Sequence, residues 1–114
     1  MRNKVPDDVS GLVREWADAV VKQEEAIFRG DTRGVRRHAG RITRSWKKIE
    51  ALGDPALEEM CRLLEHPDPL VRIDAAVLLR HFKPDRARAV LVELAATDGR
   101  AQRALRSWDS GAWD

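Results

Sequence analysis

His38, His66, His81 and Cys61 are the side chains of this 114-residue chain best suited to holding a metal. They are dispersed, with no His-x-x-x-His or Cys-x-x-Cys spacing, whereas zinc needs three or four ligands close together. They read instead as turn or surface histidines and one buried thiol, and no metal or cofactor is expected. The carboxylate pairs Glu24-Glu25 and Glu58-Glu59 are sequence neighbours, so on a helix the members point about 100° apart. Acid–base pairs must converge on one bond, which such neighbours do not do. Ser10, Ser45, Ser107 and Ser110 lie in no strained nucleophile turn, and the chain has no tyrosine. No constellation supports an enzyme.

Two rows of residues suit recognition instead. Arg33, Arg37, Arg41, Arg44 and Lys48, with Arg36 and Lys47 beside them, are seven bases uninterrupted by an acid. On one helix they line a face that is either simply solvated or attractive to an acidic protein patch or to phosphates. No aromatic residue interleaves with them to stack on bases, which favours a protein over nucleic acid. The second row, Leu70, Asp74, Val77 and His81, steps by four, three and four. It mixes apolar area with ionisable groups, as an interface centre does, or it packs on neighbouring helices. Trp113, beyond the last helix, either folds back as a lid or anchors a partner.

The elements that carry these rows are marked by Gly, Pro and Asp. Breaks at Gly30-Asp31, Gly53-Asp54-Pro55, His66-Pro67-Asp68-Pro69, Lys83-Pro84-Asp85 and Asp98-Gly99 combine an N-cap carboxylate with a proline suited to the first turn. They delimit six helices, at about 8–29, 31–52, 55–65, 69–82, 85–97 and 100–110, and no strand, since nothing alternates with period two. The first carries a stripe of Val9, Val13, Trp16, Val20 and Ile27; the second, Val35, Ala39, Ile42, Trp46 and Ile49. Facing stripes across a short turn make an antiparallel hairpin. In the fourth, Val71, Ala75, Leu78 and Phe82 point inward, and Trp16, Trp46 and Trp108 are expected in the core.

Residues 57–78 repeat after a shift of 30: Cys61 falls on Leu91, Leu64 on Leu94, Asp68 on Asp98, Val71 on Ala101, Ala75 on Leu105 and Leu78 on Trp108. A short hairpin cannot bury its own apolar face, so stacking copies is the physical solution. The segment from Leu63 to Leu79 resembles the turn and second helix of a HEAT repeat: Asp68 stands as the cap, Val71, Ala75 and Ala76 as inward residues, and Arg72 as the brace of the turn. Gln102 replaces that arginine in the second copy, a departure expected of a terminal repeat. From about Leu12 to Trp113 the chain also resembles a family of short bacterial HEAT-like proteins of unknown function. The shared features are the Gly30-Asp31 break, the charged second helix, the Leu-Leu-Glu-His-Pro-Asp-Pro stretch and the Trp108-Asp109-Ser110-Gly111 tail.

The resemblance implies an all-α, HEAT-like α-solenoid fragment of about six antiparallel helices. Its layout would be one domain over 1–114, with a hairpin over 1–52 and two short hairpins over 53–114. It further implies that second helices line a partner-binding surface, and that the chain is an immunity protein neutralising a cognate toxin by occlusion. The alternative is a nucleic-acid-binding or scaffolding module using the basic face. Composition agrees with a globular chain, 43% hydrophobic and 35% charged, and its size suits a single domain. Residues 1–50 are net basic by four charges and residues 51–114 net acidic by two. A lone cysteine, no membrane-length apolar run and no signal-peptide core at the N-terminus point to the cytoplasm.

Overall fold

The protein is described by a computed structural model over residues 8–113; residues 1–7, where an export signal was sought, lie outside it. Among the described residues there are six α-helices and no strand. They are α1 (Val9–Arg29), α2 (Thr32–Leu52), α3 (Asp54–Met60), α4 (Pro69–Leu78), α5 (Pro84–Ala95) and α6 (Gly99–Asp109), with a 3-10 helix at Cys61–Glu65. None is long and apolar enough to cross a membrane. The chain divides after Met60 into two compact units.

The breaks form as their chemistry dictates. Gly30 takes the left-handed φ of 70°, which lets its own amide and that of Asp31 close on the carbonyls of Ile27 and Ala26. The Asp31 carboxylate then accepts the amide of Gly34 at 2.9 Å and starts α2. Asp68 and Asp98, thirty residues apart, cap identically: each accepts the amide two residues on, Leu70 or Arg100, at 2.8 Å. Three boundaries differ from expectation: the helix expected over about 55–65 stops at Met60 and continues as the 3-10 helix Cys61–Glu65. Pro84 itself opens α5, and α4 ends at Leu78, with Leu79–Phe82 forming a turn.

In the first unit α1 and α2 form the expected antiparallel hairpin, and α3 packs on both. Val13, Trp16 and Val20 are buried, but Ile27 and Phe28 at the hairpin's tip are 60% and 84% exposed. α2 is turned from its expected face by less than one residue step, about 70°, and keeps Ile49 of that stripe buried. Its buried residues are Gly34, His38, Ser45 and Ile49, while Val35, Ala39, Ile42 and Trp46 are only half-buried. Packing and polar pairing set this face: Gly34 leaves so little room that a Cβ on it would lie 3.2 Å from that of Ala26, and Arg41 bonds Glu15 and Asp18 of α1 and His38 of its own helix. Trp46 is therefore a flank residue, not core.

In the second unit α4 packs against the 3-10 helix, α5 and α6, and α5 against α6. Val71, Ile73, Ala75, Ala76 and Leu79 meet Leu91 and Leu94 of α5 and the alanines Ala101 and Ala104 of α6 in a core of small and aliphatic residues. Cys61, Leu91, Leu64, Leu94, Val71 and Ala101, paired by the thirty-residue shift, are all buried. The pairs Ala75–Leu105 and Leu78–Trp108 diverge: Ala75 is buried, whereas Leu78, Leu105 and Trp108 are half-exposed.

Candidate functional site

α2 places Arg33, Arg36, Arg37, Arg44, Lys47 and Lys48 on the surface. Arg41 departs from that row, a correction to its expected outward position. Its side chain is 20% exposed and turns onto α1, where Nε and Nη2 meet the two oxygens of Glu15 at 2.7 and 2.9 Å and Nη2 reaches Asp18 at 2.7 Å. Its Nη1 lies 2.9 Å from Nδ1 of His38. Arginine has donors only, so Nδ1 accepts and the neutral ring carries its proton on Nε2. The Arg41 hydrogen bonds hold the Glu15 carboxyl below its ordinary pKa. His38 is also held below its ordinary value, chiefly by burial and then by the charges of Arg37 and Arg41.

The outward bases rim a groove of about 540 Å³ between α1 and α2. Gly11, Leu12 and Glu15 line it from α1 and Arg41, Arg44, Ser45, Lys47 and Lys48 from α2, with Glu15 and Arg41 bonded to each other. Two of the lining residues, Gly11 and Ser45, are small and leave room between the helices. The walls are apolar because the cationic residues contribute their methylene stems below the charge.

The second unit holds the other row. Leu70, Asp74 and Val77 are half-buried on α4 and His81, in the turn beyond it, is exposed. His81 joins Arg80, Pro84, Trp108 and Trp113 around a cavity of about 250 Å³. Trp113 has folded back: its ring centre is 6.4 Å from that of Trp108, tilted by 51°. The Arg80 guanidinium lies 5.0 Å above Trp113, and that of Arg88 lies 5.6 Å above Trp108 while pairing with Asp109 at 2.9 Å. Arg80 is fixed by a 2.6 Å hydrogen bond from Nη1 to the Val77 carbonyl.

Of the residues singled out from sequence, the structure brings His81 to Trp113 and Arg41 to Arg44, the two pairs in separate units. It adds Arg80, Arg88 and Trp108 to the first pair and Gly11 and Leu12 to the second. Arginines alternating with tryptophans leave no periodic trace, and a glycine in a helix says nothing of a groove, so neither set was readable beforehand. Among the described residues, no three His, Cys, Asp or Glu side chains converge as a metal site would require.

A crystal structure of the protein RPA1889 from Rhodopseudomonas palustris CGA009 superposes with a TM-score of 0.81 over 91% of this chain and 90% of that one. At 24% identity the likeness shows the fold alone. No curated protein matches the chain. A family profile described as HEAT repeats matches residues 24–107. That stretch holds all of α2, the caps Asp68 and Asp98 and all but the last residue of the two segments related by the thirty-residue shift, and on it the chain belongs to the HEAT-repeat family.

Proposed function

We propose that the chain is a non-catalytic, cytoplasmic binding module that holds a protein partner through Leu70, Asp74, Val77 and His81 and the tryptophan-lined cavity that His81 shares with Trp113. The carrying observation is that His81 lines the tryptophan cavity beside Arg80, whose Nη1 bonds the carbonyl of Val77 on α4. Apolar area, an acid, an imidazole and aromatic rings are the composition that concentrates binding energy. The specific role we propose is neutralisation of a toxin encoded beside the chain, by occlusion; it is supported by the resemblance to short bacterial HEAT-like proteins. Co-expression with that toxin tests the role, and rescue of growth is expected. Titration of the purified pair tests the surface: Leu70→Ala with His81→Ala should weaken binding at least tenfold while shifting the melting temperature by only a few degrees. Undiminished affinity in the folded double variant would remove this surface from consideration.

A second reading, nucleic-acid binding through α2, draws on one observation: among the described residues no acid within 4 Å pairs with Arg33, Arg36, Arg37, Arg44, Lys47 or Lys48. It predicts tight, strongly salt-dependent binding of an oligonucleotide.

A further inference from the structure

We propose that the groove between α1 and α2 is a second docking site, built for an acidic segment of a protein that seats an apolar side chain over Gly11 and Leu12 and lays carboxylates on Arg44, Lys47 and Lys48. This inference stands on the first unit alone and does not depend on the tryptophan-lined surface.

The internal pairing of Arg41 decides which charges are on offer. Glu15, which itself lines the groove, and Asp18 beside it occupy the Arg41 guanidinium, so these acids are already paired and do not cancel the charge of Arg44, Lys47 and Lys48. Arg44, Lys47 and Lys48 remain, the two lysines three and four residues beyond Arg44 on α2, and the other charges that line the groove, Glu15 and Arg41, are bonded to each other. A groove of about 540 Å³ whose one lining acid is already paired falls in the size range of ligand sites. It accommodates one or two aliphatic side chains between flanking acids. Nucleic acid fits less well: the groove has no aromatic wall to stack a base, and its apolar floor would lie unused beneath a phosphate chain. A small organic anion fits less well too, because Arg44, Lys47 and Lys48 sit on flexible stems and the one fixed guanidinium of the lining, that of Arg41, is taken up by Glu15, Asp18 and His38. Carboxylates distributed along a chain match that arrangement, and charges placed this way govern the rate of encounter as well as its orientation.

The test uses a fluorescently labelled synthetic peptide in which pairs of glutamates flank two adjacent leucines, measured against the intact chain by anisotropy at low and at physiological salt. Three probes accompany it: the same peptide with glutamine for glutamate, with serine for leucine, and a single-stranded oligonucleotide of equal charge. The proposal expects saturable binding that falls at least tenfold with either peptide change and at least tenfold in the variant Arg44→Glu with Lys48→Glu. Both substituted residues are exposed, so the variant's helical circular dichroism should be unchanged. Amide chemical-shift changes should centre on Gly11, Leu12 and Ser45. No binding of the parent peptide, undiminished binding of the serine peptide, shift changes centred outside α1 and α2, or tighter binding of the oligonucleotide would each overturn it. None of these outcomes bears on the His81–Trp113 surface, so the two proposals fail separately.

Discussion

Arg41 and His38 occupy the middle of a helix–helix contact where a hydrophobic pattern has no place for them. An arginine at 20% exposure is tolerated because all of its charge is answered: two oxygens of Glu15, one of Asp18, and the ring of His38. Arg41→Ala removes these bonds, but Glu15 and Asp18, 43% and 50% exposed, regain water, which limits the loss to about 1–2 kcal/mol. Arg44→Ala should change stability by less than about 0.5 kcal/mol. Urea titrations of the two variants measure the contrast, and equal losses would mean Arg41 is as peripheral as the rest of its row. His38 makes the contact pH-sensitive. Its folded pKa lies below the unfolded value of about 6.5, so the unfolded chain binds the proton more readily. The stability it contributes is complete above about pH 6.5 and declines as pH falls below it. Unfolding curves at pH 7.5 and 5.5 should diverge more for the native chain than for His38→Gln, which keeps an acceptor for Arg41 but cannot titrate. Asp98 acts in a lower window. The Arg100 side chain draws its carboxyl down to about 2, so its contribution is present above the unfolded carboxylate value and is lost as pH falls toward 2.

At the scale of elements, the breaks were legible and the faces less so. Asp, Pro and Gly act through their immediate neighbours, so Asp31, Asp68 and Asp98 cap helices where their spelling places them. Which side of α2 meets α1 depends on a partner helix that periodicity does not contain. Val35, Ala39, Ile42 and Trp46 give the visible stripe, yet the buried positions are Gly34, His38, Ser45 and Ile49, of which only Ile49 is a type that suggests a core. Two glycines on this one helix test the account. A Cβ on Gly34 would lie 2.3 Å from Oδ2 of its own N-cap, Asp31, and 3.2 Å from Ala26. Gly34→Ala should therefore destabilise by about 1 kcal/mol despite its better helix propensity, because the cap is displaced. At Gly40 the nearest atom is the movable end of Arg44, 2.9 Å away, and Gly40→Ala should stabilise by about 0.5–1 kcal/mol. Tryptophans divide in the same way. Trp16→Ala, at a residue 1% exposed, should cost about 3–5 kcal/mol, and Trp46→Ala, half-buried, clearly less. Thermal and urea unfolding measure all four, and a reversed order in either pair would contradict the observed rotation of α2.

Across the whole molecule the helical fold was readable from one chain because every break is local and every capped copy repeats. The candidate sites were not, because each joins residues far apart in sequence: His81 to Trp113, Leu12 to Arg44. What composition did convey is the charge asymmetry, basic in residues 1–50 and acidic in 51–114 within a net charge of only +2. Such a molecule has little overall pull on an anion, so attraction must come from the local field of α2 rather than from the total charge. This separates two kinds of steering by experiment. Raising salt from about 0.05 to 0.5 M shrinks the screening length from ~14 to ~4 Å, below the spacing of neighbouring helices, and removes most long-range attraction. Stopped-flow association of the acidic peptide should slow at least tenfold over that range, with dissociation changing less than threefold. Arg44→Glu with Lys48→Glu should abolish most of the salt dependence. Replacing two acids of the second unit that line neither cavity, Asp85→Asn and Glu93→Gln, raises the net charge by two without altering α2. A rate that followed this global change as strongly as the local one would place the attraction in the total charge and not in the α2 row.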